Sequence, residues 1–282
     1  MKPFQQYRTL LLRGIAVIGL LCLALMCDEA KNKEEITEVL YRLNKSDSLE
    51  SAEVTAVNSC QNMRCPMEVL DIPSDQEIPA SHLIEAPYIS QSGGYPTGCE
   101  IVSAAMLLQY WGFDYDVDRL IDDFLSMSSL EWENGELVGD RPDQSFIGNP
   151  RTENSYGCYA PVIEEVLVQA TDEAYCVQNL TGTDMDVLWQ AYLSRDFPVI
   201  VWESIYMVPT YEGSTWRVRG TDEYFTWTAE EHCMLLVGYD EDCYYLHDPY
   251  GGNGLVRYPR ETVEARYEEL GKQALALVPF DE

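Results

Sequence analysis

Positive charge is what this chain lacks: 282 residues carry 18 lysines and arginines against 48 aspartates and glutamates, a formal net charge of −30 at neutral pH. A surface of that sign repels phosphate backbones and anionic headgroups, which argues against a nucleic-acid partner and favours solubility. Histidine is scarce too. The chain has three (His82, His232 and His247), and its nine cysteines include no Cys-x-x-Cys pair. Zinc chemistry therefore has no ligand spacing to use, and neither a metal nor a cofactor is called for. Also missing are an apolar run of the ~20 residues that cross a bilayer, a phosphate-binding loop and an internal repeat.

What is present reads as a folded, exported protein. Hydrophobic residues make up 46% of the chain and charged residues 23%, the balance of a globular domain. Lys2, Arg8 and Arg13 precede an apolar run from Gly14 to Met26, which is followed by Asp28 and Glu29. That pattern predicts a signal peptide or N-terminal membrane tether over residues 1–27, and a secreted or envelope-associated protein. Outside the cell Cys60 and Cys65 can close a small disulfide loop, and the odd number of cysteines left leaves at least one thiol free. Residues 28–82 read as a stalk with one short helix, marked by Ile36, Val39, Leu40 and Leu43 at helical spacing.

Residues 83–282 form the folded domain. Helical periodicity appears at 98–111, 116–126, 160–170, 184–194 and 260–270. Strands are predicted at Phe197 to Glu203, Tyr224 to Thr228, His232 to Tyr239, Cys243 to His247, Leu255 to Tyr258 and Ala274 to Val278. Helices early and strands late predict an α+β fold with an antiparallel sheet rather than alternating β-α-β units. Segment 113–158, rich in Asp, Gly, Asn and Trp, reads either as an insertion overhanging a cleft or as a surface excursion.

The sharpest local pattern is Tyr95-Pro96-Thr97-Gly98-Cys99-Glu100 ahead of an apolar helix that Gly112 ends. Thr97 and Glu100 have capping-box spacing, which predicts Thr97 as N-cap and Cys99 at the second helical position. A thiol there feels the positive end of the helix dipole, which favours the nucleophilic thiolate. His232 opens an apolar strand where an imidazole without a task would be out of place, and it is the candidate base. If Tyr239 opposes Cys243 across the Asp240-Glu241-Asp242 turn, Met234 opposes Asp248, and His232 and Asp248 share a face as diagonal neighbours. A hairpin one residue longer or shorter would separate them. Gln91, eight residues before Cys99, is the candidate oxyanion donor.

Order and spacing here resemble the papain-like superfamily: glutamine, cysteine, histidine, acid, with His232 standing 133 residues after Cys99. The chain is similar, more specifically, to the stand-alone branch of cysteine-peptidase family thirty-nine, relatives of the double-glycine peptidases that process bacteriocin leaders. The blocks that carry the resemblance are Pro87-Tyr88-Ile89-Ser90-Gln91, Tyr95 to Glu100, Gly157-Cys158-Tyr159-Ala160-Pro161, Pro198 to Trp202, Glu231-His232, Val237-Gly238-Tyr239-Asp240 and Asp248-Pro249. The resemblance implies a papain-like fold with the nucleophile helix packed on a C-terminal antiparallel sheet. It implies Cys99 as nucleophile, His232 as base, Asp248 as orienting acid and Gln91 as oxyanion donor. Gly93-Gly94 make the Gln91 to Cys99 spacing one residue longer than the family pattern, and transporter domains are not expected.

The implied activity is peptide-bond hydrolysis through an acyl-enzyme, with a peptide or protein as partner. The same thiol could pass its acyl group to an amine, as a transpeptidase or amidase does, or the domain could bind peptides without turning them over.

Overall fold

The computed structural model describes residues 69–73, 77–171 and 175–280, all within the compact unit Cys65–Glu282. The leader over 1–27, the short helix around Ile36 to Leu43 and the Cys60–Cys65 loop lie outside the described residues. Among the described residues no helix is long and apolar enough to cross a membrane.

The core is one antiparallel sheet with helices laid on it. Its strands are β1 (His82–Leu83), β6 (Tyr175–Asn179), β7 (Val199–Ser204), β10 (Glu231–Tyr239), β11 (Cys243–Asp248), β12 (Gly254–Pro259) and β13 (Ala274–Pro279). They run in the order β12-β11-β10-β7-β13-β6, with β1 on β10. Helix α1 (Cys99–Tyr110) packs on β10 and β7, α3 (Ala160–Ala170) on β6 and α1, and α4 (Arg260–Glu269) on β7, β11 and β12. Residues Cys99 to Leu108 of α1 are all buried, so this helix is surrounded by core on every side and forms the centre of the domain. It ends as the sequence predicts, with Gly112 in left-handed conformation just past the Trp111 C-cap. Helix α2 (Val117–Asp123) is capped by the Asp116 carboxylate, which accepts the Arg119 N–H at 2.7 Å.

Two predicted elements differ from expectation. The 184–194 helix breaks into an α turn (Met185–Val187), a π stretch (Leu188–Tyr192) and a 3-10 turn (Leu193–Arg195). The change of winding lets Ala191, Tyr192 and Leu193 all be buried, which three consecutive residues of a regular surface helix cannot be. Segment 113–158 is no plain excursion: besides α2 it holds β2 (Met127–Ser128), β3 (Glu131–Glu133), β4 (Glu136–Gly139) and β5 (Phe146–Ile147). Strands β3 and β4 join β8 (Tyr211–Val218) and β9 (Tyr224–Ala229) in a second sheet. Its own small core is Ile147, Trp216 and Trp227 with Tyr156, Tyr159 and Phe225 around them. Strand β8 is mostly exposed and polar, with only Trp216 and Val218 buried near its end, which conceals it from a search for apolar runs.

The β10–β11 hairpin decides where the site forms. Tyr239 opposes Tyr244, so the connection is one residue longer than the three-residue turn predicts, with the Asp240 carboxylate accepting the Asp242 and Cys243 N–H groups. A bulge between Leu236 and Gly238 then takes up the extra residue, and beyond it Leu235 opposes His247. The register at the far end is therefore the one that places Met234 against Asp248. The bulged Val237 carbonyl accepts the Ile84 N–H at 2.8 Å, tying β1 to the same point. Gly238 is required there because a Cβ would lie 2.5 Å from the His82 carbonyl oxygen.

Candidate active site

Gly98, not Thr97, caps α1, and Cys99 is its first helical residue rather than its second. The expected capping box does not form. Thr97 Oγ1 donates to the Thr152 carbonyl at 3.0 Å. Glu100 turns inward instead: its Oε1 accepts the Cys158 N–H at 2.6 Å and its Oε2 accepts the Cys99 thiol at 3.3 Å. Because α1 is surrounded by core, a glutamate in its first turn faces a buried loop amide that would otherwise be orphaned, and that bond wins over a cap.

Cys99 is 6% exposed. Burial pushes its thiol well above the ordinary value, the charges of Glu100 and Glu231 push the same way, and the Cys233 N–H offsets only part. The thiolate expected from the helix dipole is therefore not the form held in this arrangement. A helix terminus contributes about 0.3–1 kcal/mol, whereas full burial moves a pKa by up to about 3–5 units. Cys158 and Cys233, also buried and free, are raised by burial and by the same two carboxyls.

Glu100 and Glu231 form a buried acid pair beside the thiol. Burial carries Glu100 up to about 7 against the lowering influence of the Cys158 N–H. Burial and then the Glu100 charge carry Glu231 well above its ordinary range. Gly157 makes room for the pair, since a Cβ on it would lie 2.3 Å from Glu100 Oε1 and 3.2 Å from Glu231 Oε2, and its φ of 150° suits glycine. Gly157→Ala is expected to cost about 2–4 kcal/mol, read as a lowered urea midpoint at unchanged m-value. A loss below about 1 kcal/mol would mean that the loop carrying Cys158 yields freely.

His232 and Asp248 meet as the hairpin register requires. His232 Nε2 lies 2.7 Å from Asp248 Oδ1, with both side chains 1% exposed. Burial alone would raise the Asp248 carboxyl. The His232 bond and charge, the Asn253 amide at 2.8 Å and the Tyr250 N–H at 2.9 Å together hold it below the usual range. The Tyr250 ring stands edge-on to the imidazole at 5.9 Å, and Tyr206 stands edge-on to Tyr250. Gln91 begins a 3-10 turn (Gln91–Gly93) closed by Gly94 at φ 134°, which absorbs the extra glycine of the sequence. Its N–H donates to the Pro249 carbonyl at 3.0 Å, linking this turn to the Asp248 loop. One amide hydrogen goes to the Pro96 carbonyl at 2.9 Å, and its buried Oε1 has no partner.

His232 and Asp248 are thus brought together, with Gln91 joined to their loop. Cys99 lies beside Cys233, the residue after His232, but its thiol bonds Glu100, and among the described residues no hydrogen bond joins it to His232. His247 stands apart: it is buried between strands, its Nδ1 3.2 Å from the Pro87 carbonyl, with the Tyr88 ring edge-on. Sequence reasoning passed over Glu203, which opposes His232 across β7 and β10, is fully buried with neither oxygen hydrogen-bonded, and is pushed well up by burial. It also passed over Asn253 and the pairing of Glu100 with Glu231. An acid at the head of an otherwise apolar strand, as Glu231 is, was the available signal.

The chain matches the Peptidase_C39 like family over residues 83–275. It is 31% identical over 182 residues, covering 64% of this chain and 68% of the relative, to the uncharacterized protein YvpB of Bacillus subtilis strain 168. Among solved structures, a C39-like protein of Bacillus anthracis superposes with a TM-score of 0.62 at 28% identity, covering 70% of this chain and 97% of that one. The peptidase domain of ComA, a bi-functional ABC transporter of Streptococcus, gives a TM-score of 0.39 at 16% identity, covering 70% and 98% of the two chains.

Proposed function

Since the chain belongs to the Peptidase_C39 like family and has its α+β, papain-like architecture, we propose that it is a cysteine peptidase hydrolysing peptide bonds. The observation that carries the reading is the buried His232–Asp248 pair, 2.7 Å apart, on a strand whose next residue, Cys233, meets the Cys99 thiol at the start of the central helix. On this reading Asp248, bound at Nε2, fixes the imidazole tautomer and leaves Nδ1 for the reacting thiol. Catalysis begins when the Cys99 side chain turns from Glu100 to that ring. His232 takes the thiol proton as sulfur attacks the carbonyl, then returns it to the leaving amine. Water, activated by the same imidazole, releases the acyl group.

The oxyanion of each tetrahedral intermediate would lie between two donors. One is the Cys99 N–H, which as a first-turn amide has no intrahelical acceptor. The other is the amide hydrogen of Gln91 not bonded to Pro96. The chemistry calls for no cofactor. An exported protein, with an N-terminal tether or a cleaved leader and a peptide substrate met outside the cytoplasm, belongs to the same proposal.

The test is iodoacetamide labelling of each cysteine, located by peptide mapping, across pH. His232→Ala is expected to slow alkylation of Cys99 by roughly tenfold or more at neutral pH and to leave the partly exposed Cys243 unchanged. A Cys99 rate indifferent to His232 in folded protein would remove the thiol–imidazole pair, and the peptidase assignment with it.

A further inference from the structure

Cys99, Glu100 and Glu231 each place one sulfur or oxygen atom within 4.8 Å of the other two, and all three side chains are buried. The cluster is short of positive charge: neither carboxyl is stabilised by a neighbouring cation. It is also short of donors, because Glu231 Oε1 is buried without a hydrogen-bond partner on a residue that is 8% exposed.

We propose that Cys99, Glu100 and Glu231 form an inhibitory binding site for a borderline-soft divalent cation of the Zn2+ type. One thiolate sulfur and two carboxylate oxygens are a donor set that such an ion accepts, with a water in the fourth position. With metal–sulfur bonds of about 2.3 Å and metal–oxygen bonds of about 2.0–2.2 Å, tetrahedral geometry sets neighbouring ligand atoms roughly 3.5 Å apart. The Cys99 Sγ to Glu100 Oε2 separation is 3.3 Å. Gly157, lacking a Cβ, leaves both carboxyls free of contact on its side. The ion supplies the missing charge and gives the Glu231 carboxyl, one oxygen of which is buried without a partner, a ligand to bind. Binding expels the thiol proton and any proton the two carboxyls hold, so affinity rises as pH rises and is lost in acid.

The bound ion would keep the thiol on the carboxyl side and away from His232. Inhibition therefore rests on the peptidase reading, whereas binding does not.

The experiment uses the full chain, reduced and stripped of metal by a chelator. Zn2+ is titrated calorimetrically at neutral pH, and Cd2+ is titrated in the ultraviolet for the thiolate-to-metal charge-transfer band. One equivalent is expected to bind with a band that Cys99→Ser removes. Glu231→Gln, near in shape to the protonated acid, should weaken binding by tenfold or more, with Glu100→Gln as a second probe should that variant not fold. His232→Ala should leave band and stoichiometry intact. No stoichiometric binding to the wild type overturns the proposal. So does a band that survives Cys99→Ser, which would assign the ion to Cys158 and Cys233, and so does a band lost in His232→Ala but kept in Glu231→Gln. Loss of the peptidase assignment would leave the band unchanged, and absence of the band would leave hydrolysis unchanged.

Discussion

Replacing Cys99 by alanine is expected to abolish peptide hydrolysis while leaving the fold in place. The thiol donates to Glu100 and receives the Cys233 N–H, and its removal leaves a small void beside a carboxyl that can stay protonated. The stability cost is therefore modest, about 1–2 kcal/mol, and near-ultraviolet circular dichroism should be close to wild type. The chemical cost is much larger, because no other group can form the acyl-enzyme. A loss of roughly 10⁴-fold or more in kcat/KM is expected, on the scale seen when one member of a catalytic triad is removed. Asp248→Asn should approach it for a different reason. With an amide at 2.7 Å from His232 Nε2, the ring no longer has a carboxylate to hold its tautomer and support its charge. The Tyr250 N–H and Asn253 contacts tie the same side chain to its loop, so Asn253→Ala should lower kcat with KM nearly unchanged. The measurement is a progress curve with any peptide that wild type cleaves. Full activity in a folded Cys99→Ala protein would refute the assignment outright.

The second large effect concerns stability. Glu100 titrates near 7 in the folded chain against an ordinary value of 4.5. Glu231 and Glu203 are also raised well above their ordinary range, chiefly by burial. Below the ordinary value every one of these acids is protonated in both states, and none disfavours the fold. As pH rises past it, the unfolded chain releases protons that the folded chain retains, so the folded state binds more protons and stability falls with pH. For Glu100 the fall is complete once pH passes the folded value of about 7, and it amounts to on the order of 3 kcal/mol.

Glu100→Gln keeps an acceptor for the Cys158 N–H and cannot ionise. Urea unfolding should give near-equal stabilities for wild type and mutant at pH 5, with the mutant more stable by a few kcal/mol at pH 8. The comparison has to be made against wild type at each pH, since a chain of net charge −30 also loses stability through self-repulsion as its acids ionise. A mutant-to-wild-type difference that is flat with pH would mean that the carboxyl is ionised where it stands.

The candidate reacting groups stand out in the sequence because each differs from its surroundings. Cys99 follows a proline–glycine turn at the head of an apolar helix, His232 heads an apolar strand, and Asp248 ends the next strand before a proline. Length, apolar periodicity and punctuation also located the helices at 98–111, 160–170 and 260–270 and the late strands. Those signals are local, and local chemistry produces them.

Three features depended on tertiary contact. The first is the register: a hairpin one residue longer than the turn residues imply would have sent His232 and Asp248 to opposite faces, and the bulge at Val237, fixed by the incoming Ile84 N–H, restores them. The second is Glu100, whose spacing from Thr97 says capping box, whereas the Cys158 loop, 58 residues away in sequence, draws its carboxylate inward. The third is the protonation state of Cys99. Sequence places it at a positive helix end, but burial and the Glu100–Glu231 pair, assembled from two distant segments, hold it as a thiol. The sequence by itself determined which residues are candidates to react and on which elements they ride, because side-chain type and periodicity are properties of the chain. Their pairing and their protons were decided only in the folded protein, because desolvation and charge depend on which distant groups come within a few ångströms.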